Sequence, residues 1–422
     1  MTQPQHYDAV IVGAGPAGCC AALRMVDLGY RVALVERSPF PRPRFGESLS
    51  PGIWNILDYI GVAPAVAKAG FLRDLPARVC WETAEPQLIL PGQRGSGLMV
   101  DRARFDTLLL DAARARGVSL FQPASVIRLD CGDGHWRLDI RHGANECLLQ
   151  TRLVFEATGR AARSTRQCYP VGAETLALST LAVGTDLPIE TCIEAQADGW
   201  IWGAPHPSGG FRIQAFMGPA TLREPDVRDL STRLRALLVR SQLFKALAEA
   251  RFDEPVRACR ATAYINRDAW QPGRIQLGEA AFAIDPLSSS GVEKAMRFTL
   301  QAVIAANTLL KDAGAATMAR DFYQDRLLQA AATHAVWTRN YYAKASIDQD
   351  RPFWQARTLP LSNSSDASEY GLIARFHTAY AARERYEAKK LTFDVNAEPV
   401  TDADIAAIWR ICHDKKYQQK NQ

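Results

Sequence analysis

The chain lacks any run approaching the roughly 20 apolar residues that a membrane-spanning helix needs, so no membrane association is expected. Its nine cysteines include no C-x-x-C pair. That argues against a disulfide framework and a zinc site, predicts no metal, and fits a reducing cytoplasm. An excess of one charge is missing too. Lys and Arg number 50 against 45 Asp and Glu, and the net charge of +5 is spread along the chain. No nucleic-acid footprint is therefore expected. Met1 to His6 is polar and has neither the basic nor the apolar region of a signal or transit peptide. No internal repeat or long linker interrupts the sequence. What remains is ordinary for a globular enzyme, with 47% hydrophobic and 23% charged residues. At 422 residues the chain exceeds one simple core, and two intimately connected domains are expected.

The most informative stretch lies near the start. Ala9 to Val12 is a short apolar run that reads as a buried strand. Gly13-Ala14-Gly15-Pro16-Ala17-Gly18 follows in G-x-G-x-x-G spacing. A helix is predicted from Pro16 to Leu28, with Gly29 as its stop. Val32 to Val35 reads as a second strand, ending in Glu36, 18 residues past Gly18. Gly13 permits a tight turn, Gly15 lets backbone approach a pyrophosphate, and Gly18 lets helix and strand pack closely. The helix N-terminus faces the anion, and Glu36 can accept hydrogen bonds from a ribose.

Arg37 to Arg44 is proline-rich and extended, and Arg44-Phe45-Gly46-Glu47-Ser48-Leu49 suits the flat face of a bound cofactor. Ser50 is the expected N-cap of the next helix, with Pro51 in its first turn. Phe71 to Leu90 reads as strands entering a second domain, turning at Pro91-Gly92. Leu98 to Arg102 returns to the first domain. Asp101 caps a helix through Arg116, stopped by Gly117. One strand is predicted over Val118 to Val126, and a hairpin over Arg128 to Leu149 around Gly132-Asp133-Gly134. Leu153 to Glu156 reads as another strand. From Thr175 to Ala263, strand-like runs surround one long amphipathic helix predicted from Asp226 to Ala250. Arg274 to Leu277 is a buried strand, and Val292 opens a helix reaching Leu310. The expected fold class is α/β. A discontinuous Rossmann-type domain (1–75, 96–165 and 260–312) carries a sheet-rich substrate domain (76–95 and 166–259), followed by a helical C-terminal region (313–422). Trp200 and Trp202 are two residues apart on a predicted strand and so share a face, where they serve a core or a ligand wall equally well.

Taken together, Gly13-x-Gly15-x-x-Gly18, Glu36, Arg44 to Leu49, Asp101-Arg102-x-x-Phe105-Asp106, Glu156 to Arg160, Gly278-Glu279-Ala280-Ala281, Asp285-Pro286 and Ser290-Gly291 resemble the FAD monooxygenase fold of p-hydroxybenzoate hydroxylase and geranylgeranyl reductase. The flavin-dependent halogenase branch is the most similar. Gly199-Trp200-Ile201-Trp202-Gly203-Ala204-Pro205 matches its G-W-x-W-x-I-P signature, apart from Ala204 where isoleucine is usual. Tyr341-Tyr342 and Phe353-Trp354 are similar to aromatics of its helical tail. The resemblance implies FAD rather than NAD. Gly13, Ala14, Gly15, Pro16, Ala17 and Gly18 would hold the pyrophosphate and Glu36 the adenosine ribose. Arg37, Arg44, Ser48 and Val126 join the implied cofactor-binding set, and Arg102 would approach the flavin's linking region. Gly278 precedes Glu279, which stands where the family has aspartate and would bind the ribityl hydroxyls. Asp285, Pro286, Ser290, Gly291 and Val292 would lie beside the isoalloxazine. The helix dipole there can stabilise reduced flavin by up to about 2 kcal/mol. Trp200 and Trp202 would form a wall between flavin and substrate.

One departure changes the implied chemistry. Halogenases of this branch carry a lysine that relays hypohalous acid, a few residues after a G-F pair. Here Gly70-Phe71-Leu72-Arg73-Asp74 puts Asp74 at that position, with Lys68 out of register. The same flavin can instead form a C4a-hydroperoxide that transfers oxygen to an electron-rich ring. Asp74 is then a candidate to orient a phenol O–H or indole N–H, with Glu47 and His206 as weaker ones. The absent lysine and the Asp285 to Ala295 run are similar to halogenase-like flavoproteins that hydroxylate a protein tryptophan while the cysteine tryptophylquinone subunit of quinohemoprotein amine dehydrogenase matures. That implies an aromatic substrate within a precursor polypeptide. No second strand–G-x-G-x-x-G unit occurs, so a flavin reductase or transiently bound NAD(P)H is the expected electron source. Aromatic halogenation, isoprenoid reduction and a non-catalytic flavoprotein scaffold are the competing readings, and the tryptophan pair argues against the reductase.

Overall fold

The computed structural model describes residues 3–358 except 92, 94–96, 133, 162–167, 223–228 and 267. Gly92, Asp133, Asp226 and the expected helical tail from 359 onward lie outside the described residues. The fold is mixed α/β, as expected from the sequence.

Its first sheet has a parallel centre. Arg274–Gln276, Asn145–Glu156, Gln5–Val12, Val32–Val35 and Ser119–Phe121 lie side by side in that order. Val12 pairs with Glu156 on one side and Val35 on the other, so these strands end together at one edge. Alternation decides which layer each side chain enters. Ala9, Ile11 and Leu34 pack towards the Pro16–Asp27, Arg102–Ala115 and Gly291–Lys311 helices. Val10, Ala33 and Val35 pack instead against Leu138, Ile140 and Leu149. Those belong to an antiparallel meander, Ala124–Gly132, His135–His142 and Asn145–Glu156, that folds over the other face. Covering both faces explains why the central strands are continuously apolar.

The second sheet runs Arg251–Phe252, Leu176–Val183, Phe211–Met217, Gly199–Pro205, Thr191–Gln196, Ala77–Cys80 and Gln87–Ile89. Arg257–Arg260 also pairs with Leu176–Val183. One face, with Leu178, Ile201, Ile213 and Ala215, packs on Leu234, Leu238 and Phe244. The opposite face carries Ala177, Trp200, Trp202 and Phe216. The Ala316–Ala343 helix packs Ala319, Tyr323 and Leu327 into the first core, and its end brings Tyr342 to the second sheet. Pro352–Thr358 adds Phe353 and Trp354 there.

Three local expectations are corrected. The long Asp226–Ala250 helix is, among the described residues, a ten-residue helix, Leu230–Val239, followed by a 3-10 turn, Lys245–Ala248. Glu194 stops it by accepting hydrogen bonds from Ser241 Oγ, Gln242 N and Leu243 N at 2.5, 2.9 and 2.8 Å. Val118 to Val126 divides into Ser119–Phe121 and the start of Ala124–Gly132, because Pro123 has no N–H to give a ladder. Ser50 does not cap with its side chain. The helix begins at Ile53, and Ser50 Oγ donates to Glu293 at 3.4 Å.

Candidate active site

The ends of the parallel strands, the Arg42–Ser48 loop and the aromatic face of the second sheet enclose one continuous cavity of about 770 Å³, within the range of cofactor and ligand pockets. The glycine loop forms one part of its wall. Gly13 has φ +106°, and a side chain there would strike the Ala157 carbonyl. A methyl on Gly18 would strike the Gly13 carbonyl oxygen. Gly15 differs: a Cβ there meets only Arg42 Nη2, 3.9 Å away, and the residue lines the cavity. The missing side chain therefore keeps space open beside a helix start that has no side-chain cap. Free N–H groups in a first helical turn attract anions.

Acids and arginines interlock along this part. Glu36 accepts from Ala14 N at 2.8 Å and Ser38 N at 2.9 Å, and lies 3.7 Å from Arg42. Arg102 is buried, grips Asp106 through Nε and Nη2 at 2.9 and 3.2 Å, and donates to the Phe45 carbonyl at 2.6 Å. Arg102 thus holds the Phe45–Gly46 backbone against the cavity. Glu47 is 1% exposed, and its Oε1 is 3.0 Å from Arg212 Nε of the second sheet. Burial pushes the Glu47 carboxyl up, against the opposing pull of Arg212. Arg44 is exposed at the cavity rim, and partial desolvation followed by repulsion from Arg42 lowers its pKa. Glu279 receives Arg160 Nε at 3.1 Å.

The Asp285–Val292 loop and the aromatic face of the second sheet form another part of the wall. Asp285 accepts from Leu287 N at 3.0 Å and is approached by Tyr342 OH at 3.1 and 3.2 Å. Burial raises its pKa, opposed by the Leu287 N–H, Arg357 and the Tyr342 hydroxyl. Cross-strand register sets Ser179, Gln214 and Trp202 in one rung, and Ala177, Phe216 and Trp200 in the next. Both rungs line the cavity. Trp200 stacks on Phe216 at 4.0 Å and meets Trp81 edge-on at 6.1 Å. Six lining atoms, Arg42 Nε, Glu47 Oε1, Thr158 Oγ1, Ser179 Oγ, Trp200 Nε1 and Arg274 Nε, are buried without a hydrogen-bond partner. Such atoms are costly unless a bound group satisfies them. With the space over Gly15, they make the cavity fit for a nucleotide with a polar, flat end.

Gly13, Gly15, Pro16, Ala17, Glu36, Arg37, Arg44, Glu47, Ser48, Arg102 and Val126 line this cavity, as do Trp200, Trp202, Gly278, Glu279, Asp285, Pro286, Gly291 and Val292. Ala14 and Gly18 do not. They lie beneath it, where Ala14 N fixes Glu36 and Gly18 admits the Gly13 carbonyl. Ser290 also falls outside, its hydroxyl 2.6 Å from that of Ser288. Asp74 is corrected more sharply. It is exposed, has φ +51° and is not in the cavity wall. Lys68 is likewise exposed and outside. His206 is buried away from the wall, with Nδ1 2.7 Å from Ser208 Oγ. Ser179, Gln214 and Phe216 carried no motif. Only their register opposite Trp200 and Trp202 brings them in, and that register is absent from a one-dimensional pattern. Tyr342 was legible only as one aromatic of a tail.

A glycine-loop nucleotide unit sharing its cavity with an aromatic-walled sheet defines an FAD-dependent oxidoreductase, and residues 8–46 match the FAD binding domain family. Residues 90–386 match the tryptophan halogenase family, to which the chain belongs. It is 27% identical over 380 residues to the tryptophan 2-halogenase of Chondromyces crocatus, covering 85% of this chain and 72% of that one. Among solved structures it resembles the myxobacterial chondrochloren halogenase CndH (TM-score 0.76, 23% identity, 97% of each chain). It also resembles QhpG, a peptidyl tryptophan dihydroxylase essential for tryptophylquinone cofactor biogenesis (TM-score 0.68, 27% identity, 84% of this chain and 79% of that one).

Proposed function

We propose that this enzyme is a monooxygenase that hydroxylates an electron-rich aromatic ring, with a peptide-bound tryptophan as its substrate class and quinone cofactor biogenesis as its setting. The observation that carries this reading is the cavity wall. Among the described residues it contains no lysine, while Lys68 and Asp74 are exposed and outside it. Relay of hypohalous acid, as implied for the halogenase branch, requires an ammonium in the site. Similarity to QhpG supports the peptide-bound substrate.

In this reading the Gly15 space and the adjoining helix start receive the pyrophosphate, and Glu36 receives the adenosine ribose. Glu279 takes the ribityl chain, and the Asp285–Val292 loop takes the pyrimidine edge. Bound FAD, once reduced, supplies the two electrons that activate O2. Trp200, Trp202 and Phe216 hold the aromatic substrate apart from solvent. Reducing equivalents come from a separate flavin reductase or from NAD(P)H.

Aromatic halogenation is the second reading, favoured by family membership and by similarity to a tryptophan 2-halogenase. One assay separates them. The FAD-loaded protein is reduced anaerobically and exposed to O2 with N-acetyl-L-tryptophanamide or tryptophan-containing peptides, with and without chloride or bromide. Product masses rising by whole oxygen atoms are expected. Halogen in the product would sink the reading.

A further inference from the structure

Six carboxylates line the cavity, and arginine decides what five of them can do. Glu36 lies 3.7 Å from Arg42, and Glu47 3.0 Å from Arg212. Asp106 is 2.9 Å from Arg102, Glu156 2.5 Å from Arg274, and Glu279 3.1 Å from Arg160. In these five the carboxylate oxygens are already engaged by a guanidinium, which competes with any other proton donor for them. Asp285 alone among the described lining carboxylates has no arginine, lysine or histidine nitrogen within ion-pair distance of its oxygens. A backbone N–H and a tyrosine hydroxyl hold it instead.

We propose that Asp285 is the proton acceptor of the active site, and that Tyr342 of the Ala316–Ala343 helix is the residue that positions it. The assignment rests on electrophilic attack at an aromatic ring, as read above. In that substitution the ring carbon gains a C–O bond and loses its hydrogen as a proton, and the C–H electron pair returns to the ring. O2 supplies the oxygen atom, its second oxygen leaves as water, and reduced flavin supplies two electrons. The expelled proton needs a base inside the cavity. Asp285 lies in its wall, on the same loop that faces the Trp200 side of the sheet.

The surroundings of Asp285 fit that task. Tyr342 OH, 2% exposed as a residue, points at both carboxylate oxygens and orients them. Its ring is held by Trp81 at 6.0 Å and Trp354 at 5.9 Å, and the Arg357 guanidinium lies 5.6 Å over it. From the same long helix, His334 Nε2 sits 3.2 Å from the Asp285 carbonyl, and burial drives its pKa down to about 4, so it is neutral. From the Gly291–Lys311 helix, Lys294 is buried with Nζ on the Phe282 carbonyl at 2.6 Å, and burial lowers its pKa to about 7. Arg357, on Pro352–Thr358, is spent on the Phe353 carbonyl and Thr175 Oγ1 at 2.8 and 2.5 Å. Among the described residues no cation forms an ion pair with Asp285; Arg357 acts on it only from beyond that distance, and burial, the larger effect, favours its protonated form.

The test uses FAD-loaded wild type, Asp285→Asn, Asp285→Glu and Tyr342→Phe, each with its FAD content measured. Infrared difference spectra against pH follow the carbonyl band of a protonated carboxyl. A band with a midpoint above the ordinary carboxylate range is expected in wild type, with one component lost in Asp285→Asn while the component from buried Glu47 remains. The midpoint of the Asp285 component should move higher in Tyr342→Phe, because the tyrosine hydroxyl stabilises the charged form. Product formation from N-acetyl-L-tryptophanamide should fall at least about 10²-fold in Asp285→Asn, with partial recovery in Asp285→Glu. No such band in wild type, no loss of a component in Asp285→Asn, or near-normal turnover by that variant would overturn the assignment. An unmoved midpoint in Tyr342→Phe would overturn the positioning role. Halogenated product would remove the hydroxylation reading and leave the proton acceptor standing, since both substitutions expel a ring proton.

Discussion

At the scale of single residues, similar motif letters perform different work. Gly15 and Gly18 both belong to the glycine spacing, yet only Gly15 borders open space. Gly18→Ala should destabilise the folded protein by about 1–3 kcal/mol, the range for overpacking, because its methyl would strike the Gly13 carbonyl oxygen. Gly15→Ala should leave the FAD-free melting temperature nearly unchanged and weaken FAD binding. Thermal melts with and without FAD, together with a fluorescence titration of FAD, check both. Asp74 gives a second contrast. Its side chain is exposed and outside the cavity, so Asp74→Ala should leave product formation within a factor of two. Asp74→Lys should not confer halogenation, despite occupying the implied relay position. Mass analysis of products made in bromide would show otherwise by a brominated species.

At the scale of elements, the Ala316–Ala343 helix contributes more than its composition suggests. It carries Tyr323, whose hydroxyl donates to the Gln276 carbonyl at 2.6 Å, as well as His334 and Tyr342. Burial holds the His334 pKa near 4, below its ordinary 6.5. The unfolded chain therefore binds a proton in this window that the folded one does not. The contribution of neutral His334 is fully present above about pH 6.5 and is lost as pH falls towards about 4. That loss amounts to about 3 kcal/mol at one pKa unit per 1.36 kcal/mol. Denaturant melts at pH 7 and pH 4.5 should show a steeper loss for wild type than for His334→Gln, and equal losses would refute it. The Leu230–Val239 helix teaches the opposite lesson. Its apolar spacing continues past Arg240, but a buried carboxylate from another strand, Glu194, captures the N–H groups that would follow.

At the scale of the whole molecule, the cavity is a junction between two sheets. Arg212 of the second sheet reaches Glu47 of the loop that Arg102 of the first unit also holds. FAD spanning that junction should stabilise both sides together. At FAD concentrations 100 times Kd, the gain should be about 2.7 kcal/mol, as linkage requires for a ligand bound only by the folded state. A single melting transition that rises with FAD concentration is the expected result. Two transitions, with only one responding, would show that the halves are not coupled through the cavity.

Much of this molecule is written in local order. The α/β class, the strand–glycine-loop–helix start, the Asp101 cap and the helix opening near Val292 follow from apolar runs, glycine positions and capping chemistry. Those act over a few residues and are therefore visible in a string of letters. FAD could be inferred once distant motifs were read as one ordered set. Three matters belonged to tertiary structure alone. Asp74 looked functional until its loop turned it outward. Ser179 and Gln214 became cavity residues only through their register beside Trp202. Asp285 and Tyr342, separated by 57 positions, met because the helix that follows Asp285 and the helix that carries Tyr342 pack against each other. Pairing between strands and packing between helices depend on contacts far apart in the chain, and no local periodicity encodes them.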